Sequence, residues 1–451
     1  MSSPAPIRLV VSARDSDLRL AERPVPPLAA GSGRDLPRLV VDTTQRFQTH
    51  LGFGGAFTEA AATVWQGLPE AAREQLLRDY FDPARGHGYT LGRVHINSCD
   101  FALGHYAHAD VPGDQALAHF SIERDRRALL PFLSAAQRVA GRPLTLLASP
   151  WSPPAWMKTN GRMDDGGRLK PECRAAWAQC YVRFVQAYAA EGVPIWGVSV
   201  QNEPAARQRW DSCLYSAEEE RDFVRDHLGP ALRDAGLGGV KIVVWDHNRD
   251  LMVERASVIY ADADAAAFVW GTGFHWYGGE CFDNVQGVHD AWPDKHLLFT
   301  EGCQEGGPHL GSWEVGERYA RNVINDLNRW TVGWIDWNLL LDERGGPNHV
   351  GNFCSAPVLA DTARGALMHQ SAYWVLGHFA RFIRPGATRV RADAPPGIDA
   401  TAFVDREGTA TVVASNPHDE ALRFALAIDG HQGSAVELPP RSIATVVVRT
   451  E

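Results

Sequence analysis

The feature that most constrains this chain is a repeating rhythm. Eight short runs rich in β-branched and aromatic residues, at 47–54, 89–97, 144–149, 195–202, 240–246, 268–277, 296–301 and 331–338, each end in polar, Gly-rich or Pro-rich sequence. Longer segments with helical spacing lie between them. Pro69 takes a tolerated first-turn position ahead of Leu76 and Leu77, Ser121 and Glu123 read as an N-cap and acidic first turn before Leu129, Phe132 and Leu133, and a third pattern runs from Ala217 through Phe223 to Leu228. Strand then helix, eight times over, predicts parallel strands with right-handed crossovers. Eight is the number that closes a (β/α)8 TIM barrel.

The texture changes past Ala372 to Leu376, which read as the last helix. From Thr388 onward, alternating stretches at 402–404, 410–414 and 443–448 are separated by the turn pairs Glu407-Gly408, Asn416-Pro417 and Asp429-Gly430, the pattern of a small antiparallel β domain. The opening segment, 7–20, also reads as strand. Because chain ends often lie close together, it is expected to pair with the carboxy-terminal strands. The expected fold is therefore α/β: a barrel over 46–384 with an appended antiparallel β-sandwich built from 1–45 and 385–451.

Charge and cysteine usage exclude several classes. With 54 acidic against 44 basic side chains and a net charge of -10, no electropositive footprint exists for a nucleic acid or an anionic membrane surface. No apolar run reaches the roughly 18 residues of a membrane span, so no integral membrane segment is expected. Met1 to Arg14 carries no basic leader region and only the brief apolar patch at 7–11, which predicts a cytoplasmic protein. The seven Cys (Cys99, Cys173, Cys180, Cys213, Cys281, Cys303, Cys354) are odd in number and contain no C-x-x-C pair, against both a disulfide framework and a thiolate zinc site.

Barrel chemistry sits at the carboxy-terminal ends of the strands. Two carboxylates stand there: Glu203, after the fourth run in Gln201-Asn202-Glu203-Pro204, and Glu301, ending the seventh in Phe299-Thr300-Glu301-Gly302. Strands four and seven face one another across a barrel mouth. Two facing carboxyl groups are what glycoside hydrolysis needs, one to protonate the leaving oxygen and one to meet the oxocarbenium centre, although a Glu at a strand end is more commonly a cap or an ion-pair partner. The 15 Trp lean the same way, since sugar clefts use flat apolar faces, while most of them are expected simply to pack the core.

The ordered series Gly52-Phe53-Gly54-Gly55-Ala56-Phe57-Thr58-Glu59, Arg93 with Cys99-Asp100-Phe101, Ser149-Pro150-Trp151-Ser152-Pro153-Pro154, Asn202-Glu203-Pro204, His275-Trp276-Tyr277, Gly333-Trp334-Ile335-Asp336-Trp337-Asn338 and Leu376-Gly377-His378-Phe379 resembles glycoside hydrolase family 30, in particular its glucosylceramidase branch. The resemblance implies that Glu203 is the general acid/base and Glu301 the nucleophile of a retaining mechanism, with Glu203 kept protonated near neutral pH and Glu301 ionised. It implies that Arg93 supplies a cation to Glu301 and that Tyr277 donates to it. Asp100, Trp151, Trp337 and Asn352 are expected to hold sugar hydroxyls in the first subsite, and Asn202 to contact the 2-hydroxyl. His275 has no second His or carboxylate at ligand spacing in sequence and reads as a site-lining histidine. Neither a metal nor an organic cofactor is expected.

The implied substrate is a β-glucoside or glycosphingolipid, glucosylceramide first. Residues 205–211 depart from the animal lysosomal enzymes, and Gln201 precedes the Asn-Glu pair as in bacterial glucanase and xylanase relatives, so β-xylosidase and β-glucanase activity stay open. A carbohydrate-binding protein on a catalytically dead barrel and a metal-dependent hydrolase are the alternatives of other classes.

Overall fold

A computed structural model describes residues 7–25 and 36–449, without the side chains of 431–434. Residues 1–6, 26–35 and 450–451, parts of the expected end segments, lie outside the described residues. By internal contacts the chain divides into two compact units, one of residues 53–309 and 334–368, the other of 1–52, 310–333 and 369–451.

Eight strands close a barrel: Gly52–Phe57, Leu91–Ile96, Thr145–Pro150, Ile195–Ser199, Lys241–Asn248, Val269–His275, His296–Glu301 and Thr331–Asn338. They are numbered one to eight below. Neighbours pair in sequence order and strand seven pairs with strand six, with parallel registers such as Arg93 against Leu147 and Leu298 against Gly273. Strands one, two and eight are buried along their whole length, as expected of a parallel sheet covered on both faces. Gly54 shows how tightly this closure is made: a Cβ there would stand 2.0 Å from the Leu91 carbonyl oxygen.

The expected runs seven and eight coincide with the observed strands. Run one does not. Residues 38–49 form a separate strand of the β domain, and the barrel strand begins only at Gly52, beyond His50 and Leu51, whose N–H groups bond to the Ala387 and Val332 carbonyls. The single run at 47–54 spans the end of one strand and the start of another, which belong to different sheets.

The β domain is a nine-stranded sheet that begins with His431–Leu438, Leu422–Ile428, Arg38–Thr49, Thr388–Asp393 and Asp399–Val404. It continues with Thr409–Asn416, Ser442–Arg449, Ile7–Ala13 and Ala21–Arg23. The opening strand pairs antiparallel with the last one, from Ile7 against Val448 to Ala13 against Ser442, so both chain ends build the sandwich. Alternate residues converge on one core: Leu9 and Val11, Leu39 and Val41, Ala400, Ala402 and Val404, Phe424 and Leu426, Ala444 and Val446. That period of two is the signature of strands with one buried face. One pair breaks the antiparallel pattern, Leu422–Ile428 running parallel to Arg38–Thr49.

Beyond strand eight the chain makes a small three-stranded excursion through Leu341–Asp342, Val358–Asp361 and Ala366–His369. The segment between its first two strands carries Asn348, His349 and Asn352 over the barrel mouth.

Candidate active site

The carboxy-terminal ends of strands two to eight and the loops after them line a cavity of about 210 Å3, walled by Trp151, Trp210 and Trp337 and floored by Asn202, Glu203, Tyr277 and Glu301. Beneath it lies Arg93, in the middle of strand two and fully buried. The guanidinium forks: Nη1 donates to Glu301 Oε2 at 2.5 Å, while Nη2 donates to Asn202 Oδ1 at 2.7 Å and Asp246 Oδ2 at 2.8 Å. Its face lies 4.7 Å from the Trp151 ring centroid, and Trp151 in turn stacks on Trp337 at 5.2 Å. Planar, always charged and able to donate in several directions, an arginine suits this junction as no lysine could.

Asp246 is the residue that the sequence reading missed. Besides Arg93, it accepts from Thr300 Oγ1 at 2.6 Å, Ser149 Oγ at 3.0 Å and Ser199 Oγ at 2.5 Å, and it holds His275 Nε2 at 3.0 Å. Burial by itself pushes this carboxyl up, but the Arg93 charge and the His275 and Ser199 hydrogen bonds override it and hold it well below the ordinary carboxylate range. The signal was available: Asp246 is the last residue of the fifth run, where any barrel residue deserves inspection. A β-bulge in strand five between Trp245 and His247, with φ of 71° at Trp245 and 51° at Asp246, aims this end of the strand inward.

Glu203 lies four residues past strand four, with its N–H bonded to the Asp246 carbonyl at 3.0 Å and a left-handed φ of 49°. A non-glycine residue held there stores strain of the sort that gathers at functional sites. Its Oε1 receives His275 Nδ1 at 3.3 Å and stands 3.9 Å from His247 Nε2. Glu301 takes Arg93 on one oxygen and the Tyr277 hydroxyl on the other at 3.0 Å. A carboxyl oxygen of Glu203, a ring nitrogen of His275 and a carboxyl oxygen of Glu301 all lie within 4.8 Å of one another.

His275, without partners by sequence spacing, is thus wedged among three carboxylates. Burial would lower its pKa, but the Glu301 charge and the bonds to Asp246 and Glu203 raise it to about 9. Both ring nitrogens then donate, Nε2 to Asp246 and Nδ1 to Glu203.

The charge balance of the two glutamates differs from the expected one. Burial pushes Glu203 up, but His247, His275 and Arg93 together pull it below its ordinary value. Burial, reinforced by the Glu203 charge, leaves Glu301 raised despite His275 and Arg93. In the ligand-free site, therefore, His247, His275 and Arg93 favour the ionised form of Glu203.

The remaining expected residues surround this pair. Asp100 accepts from Asn348 Nδ2 and Asn352 Nδ2, both at 3.2 Å, and burial with the nearby Glu301 charge raises its pKa to about 8. Asn202 gives its carbonyl to Arg93, so its NH2 group is the end left to meet a ligand. Cys303 is buried beside the Tyr277 hydroxyl, Sγ at 3.5 Å. Arg93, Asp100, Trp151, Asn202, Glu203, His275, Tyr277, Glu301, Trp337 and Asn352 are all gathered at this one mouth.

A closed parallel barrel with two close carboxyl groups at its carboxy-terminal face defines a glycoside hydrolase. The model for the glycosyl hydrolase family 30 TIM-barrel domain matches residues 50–383, and that for the family's β-sandwich domain matches residues 386–446. The chain belongs to glycosyl hydrolase family 30. It is 36% identical over 407 residues to the lysosomal acid glucosylceramidase of Mus musculus, covering 86% of this chain and 79% of that one. The crystal structure of SrfJ from Salmonella typhimurium superposes with a TM-score of 0.94 at 37% identity, over 99% of this chain and 100% of that one. The endo-β1,6-glucanase BT3312 gives a TM-score of 0.89 at 27% identity, over 99% and 100%. Among the described residues no helix is long and apolar enough to cross a membrane.

Proposed function

We propose that this enzyme hydrolyses β-glucosides with retention of anomeric configuration, with glucosylceramide as the favoured substrate. The observation that carries the reading is the close approach of Glu203 and Glu301, whose oxygens come within 4.8 Å. Retaining pairs stand about 5–5.5 Å apart, whereas inverting pairs need roughly 6.5–9.5 Å to admit a water.

Glu301 is the nucleophile in this reading. Arg93 and Tyr277 each grip one of its oxygens and aim the carboxylate, and the Arg93 charge stabilises its ionised form. Glu203 delivers a proton to the leaving oxygen. Because His275 and His247 depress it in the free site, the protonated fraction of Glu203 grows as pH falls, so kcat/KM rises toward the acid side. Once Glu301 is esterified its negative charge is gone and the Glu203 pKa falls, so Glu203, having given its proton to the leaving group, stays ionised and in place to take the proton of the attacking water. Asn202 meets the 2-hydroxyl, and Asp100 other hydroxyls of the same ring.

The supporting relatives are named for glucosylceramide and for β-1,6-glucan. A pocket of about 210 Å3 favours one terminal ring over an extended glucan threaded along a cleft. Proton NMR of the first-formed sugar from an aryl β-glucoside reads the stereochemistry directly: β-glucose is expected, and α-glucose would end the double-displacement reading. The variants Glu301→Gln and Glu203→Gln are expected to lose at least 1,000-fold in kcat on that substrate. A panel of aryl β-glucoside, β-xyloside and β-fucoside with glucosylceramide and β-1,6-glucan identifies the aglycone, and preference for the glucan overturns the glucosylceramide assignment alone.

A further inference from the structure

Outside the cavity, three loops meet at a second cluster of polar side chains. His105 follows strand two, Asp211 follows strand four and His349 belongs to the excursion after strand eight. One ligating atom of each lies within 4.8 Å of the other two. His105 Nδ1 stands 3.1 Å from Asp211 Oδ1, and His349 Nε2 stands 3.5 Å from Asp211 Oδ2. Ligands about 2.0–2.1 Å from a tetrahedral ion are separated by about 3.3 Å, a value these two distances bracket.

The hydrogen bonding around the cluster leaves a place for a cation. His349 Nδ1 faces the Ala102 carbonyl at 3.2 Å, so that nitrogen carries the proton and Nε2 presents a lone pair. That lone pair faces a carboxylate oxygen. Both His349 Nε2 and Asp211 Oδ2 are buried without a hydrogen-bond donor, and the Asp211 side chain is 0% exposed. Two acceptors confronting each other in a dry place need a positive charge between them.

The supporting groups are those of a metal centre. Ser98 Oγ donates to Asp211 Oδ1 at 2.7 Å, the Ala102 carbonyl fixes the His349 tautomer, and Asp164 Oδ2 lies 3.9 Å from His105 Nε2 while Arg162 holds its carboxylate. His105, 41% exposed, gives the ion a way in from solvent.

We propose that His105, Asp211 and His349 bind one divalent transition-metal ion of the zinc class, with water completing its shell. Two imidazoles and one carboxylate favour such an ion over magnesium or calcium, which prefer oxygen ligands throughout. The ion ties together three loops of the cavity rim. His349 N–H bonds to the Asp100 carbonyl at 3.3 Å, and Trp210, next to Asp211, lines the cavity wall. Its effect therefore falls on substrate positioning and not on proton transfer.

The test is calorimetric titration of Zn(II) into the chelator-stripped full-length enzyme, with the visible spectrum of the Co(II) form as a second readout. One site is expected, weakened about 100-fold or more in Asp211→Asn and in His105→Ala. His105 is half-exposed, so H105A keeps the test decisive if a variant at a buried position fails to fold. Glu203→Gln, which breaks the other close grouping of possible ligands, is expected to keep the site. Zinc binding no tighter to the wild type than to His105→Ala, or binding abolished by Glu203→Gln, overturns the proposal.

Discussion

Arg93 shows how much of the site one side chain organises. It neutralises Asp246 and Glu301 together and orients Asn202, all from a fully buried position. Removing the charge strands two buried carboxylates, so Arg93→Met is expected to destabilise the fold by about 3–5 kcal/mol, measured by urea unfolding, and to abolish turnover. Arg93→Lys restores one charge but not the fork. It should recover part of the stability and little of the activity, and full recovery of both would show that charge alone matters. Glu203, Glu301 and Tyr277 were legible because each stands beside a strand end, and Arg93, in the middle of its strand, because it belongs to the same ordered set of motifs. Asp246 ends the fifth run and so could have been singled out by position, but the way it and His247 face could not. Their positions depend on a bulge with two consecutive left-handed residues, a backbone event that side-chain patterning does not report.

The elements carry the same lesson one step up. Strands seven and eight were readable to the residue because each is a closed apolar run ending in a polar residue, whereas the pattern near residue 47 fused two strands of separate sheets. The three-stranded excursion after strand eight had no periodic signal at all, since its strands are only two to four residues long. How one element steadies another is clearest at the helix Ala217–Phe223. Its buried Glu220 accepts the Trp245 N–H at 2.7 Å and Arg255 Nη2 at 3.0 Å, and Arg255 lies 4.9 Å above the Trp245 ring. This pins the bulged end of strand five that presents Asp246. Glu220→Ala leaves a buried N–H and a buried guanidinium without their acceptor, and should cost about 3 kcal/mol of unfolding free energy. If the pinning matters to function, kcat also falls while KM for an aryl glucoside changes less. Loss of stability with kcat untouched would assign Glu220 to the fold alone.

Across the whole molecule, stability and chemistry are linked through one proton on His275. Its folded pKa of about 9 lies above the unfolded value of about 6.5, so the protonated form is favoured by folding. The stabilisation is fully present below about pH 6.5 and is lost as pH rises through about 9. Over that interval it amounts to about 3 kcal/mol, and the same proton joins His247 and Arg93 in holding Glu203 below its ordinary range. Asp246 moves the other way: its depressed pKa contributes above the unfolded carboxyl range and weakens only in strong acid, so it is constant over the window in which His275 titrates. The difference in unfolding free energy between wild type and His275→Gln, followed by urea titration at pH 6, 7, 8 and 9, should therefore narrow by about 3 kcal/mol as pH rises. A gap that stays flat or widens would mean that His275 is neutral in the folded enzyme. Glu203 would then lose one of the charges that lower it, and the falling limb of kcat/KM would move toward higher pH.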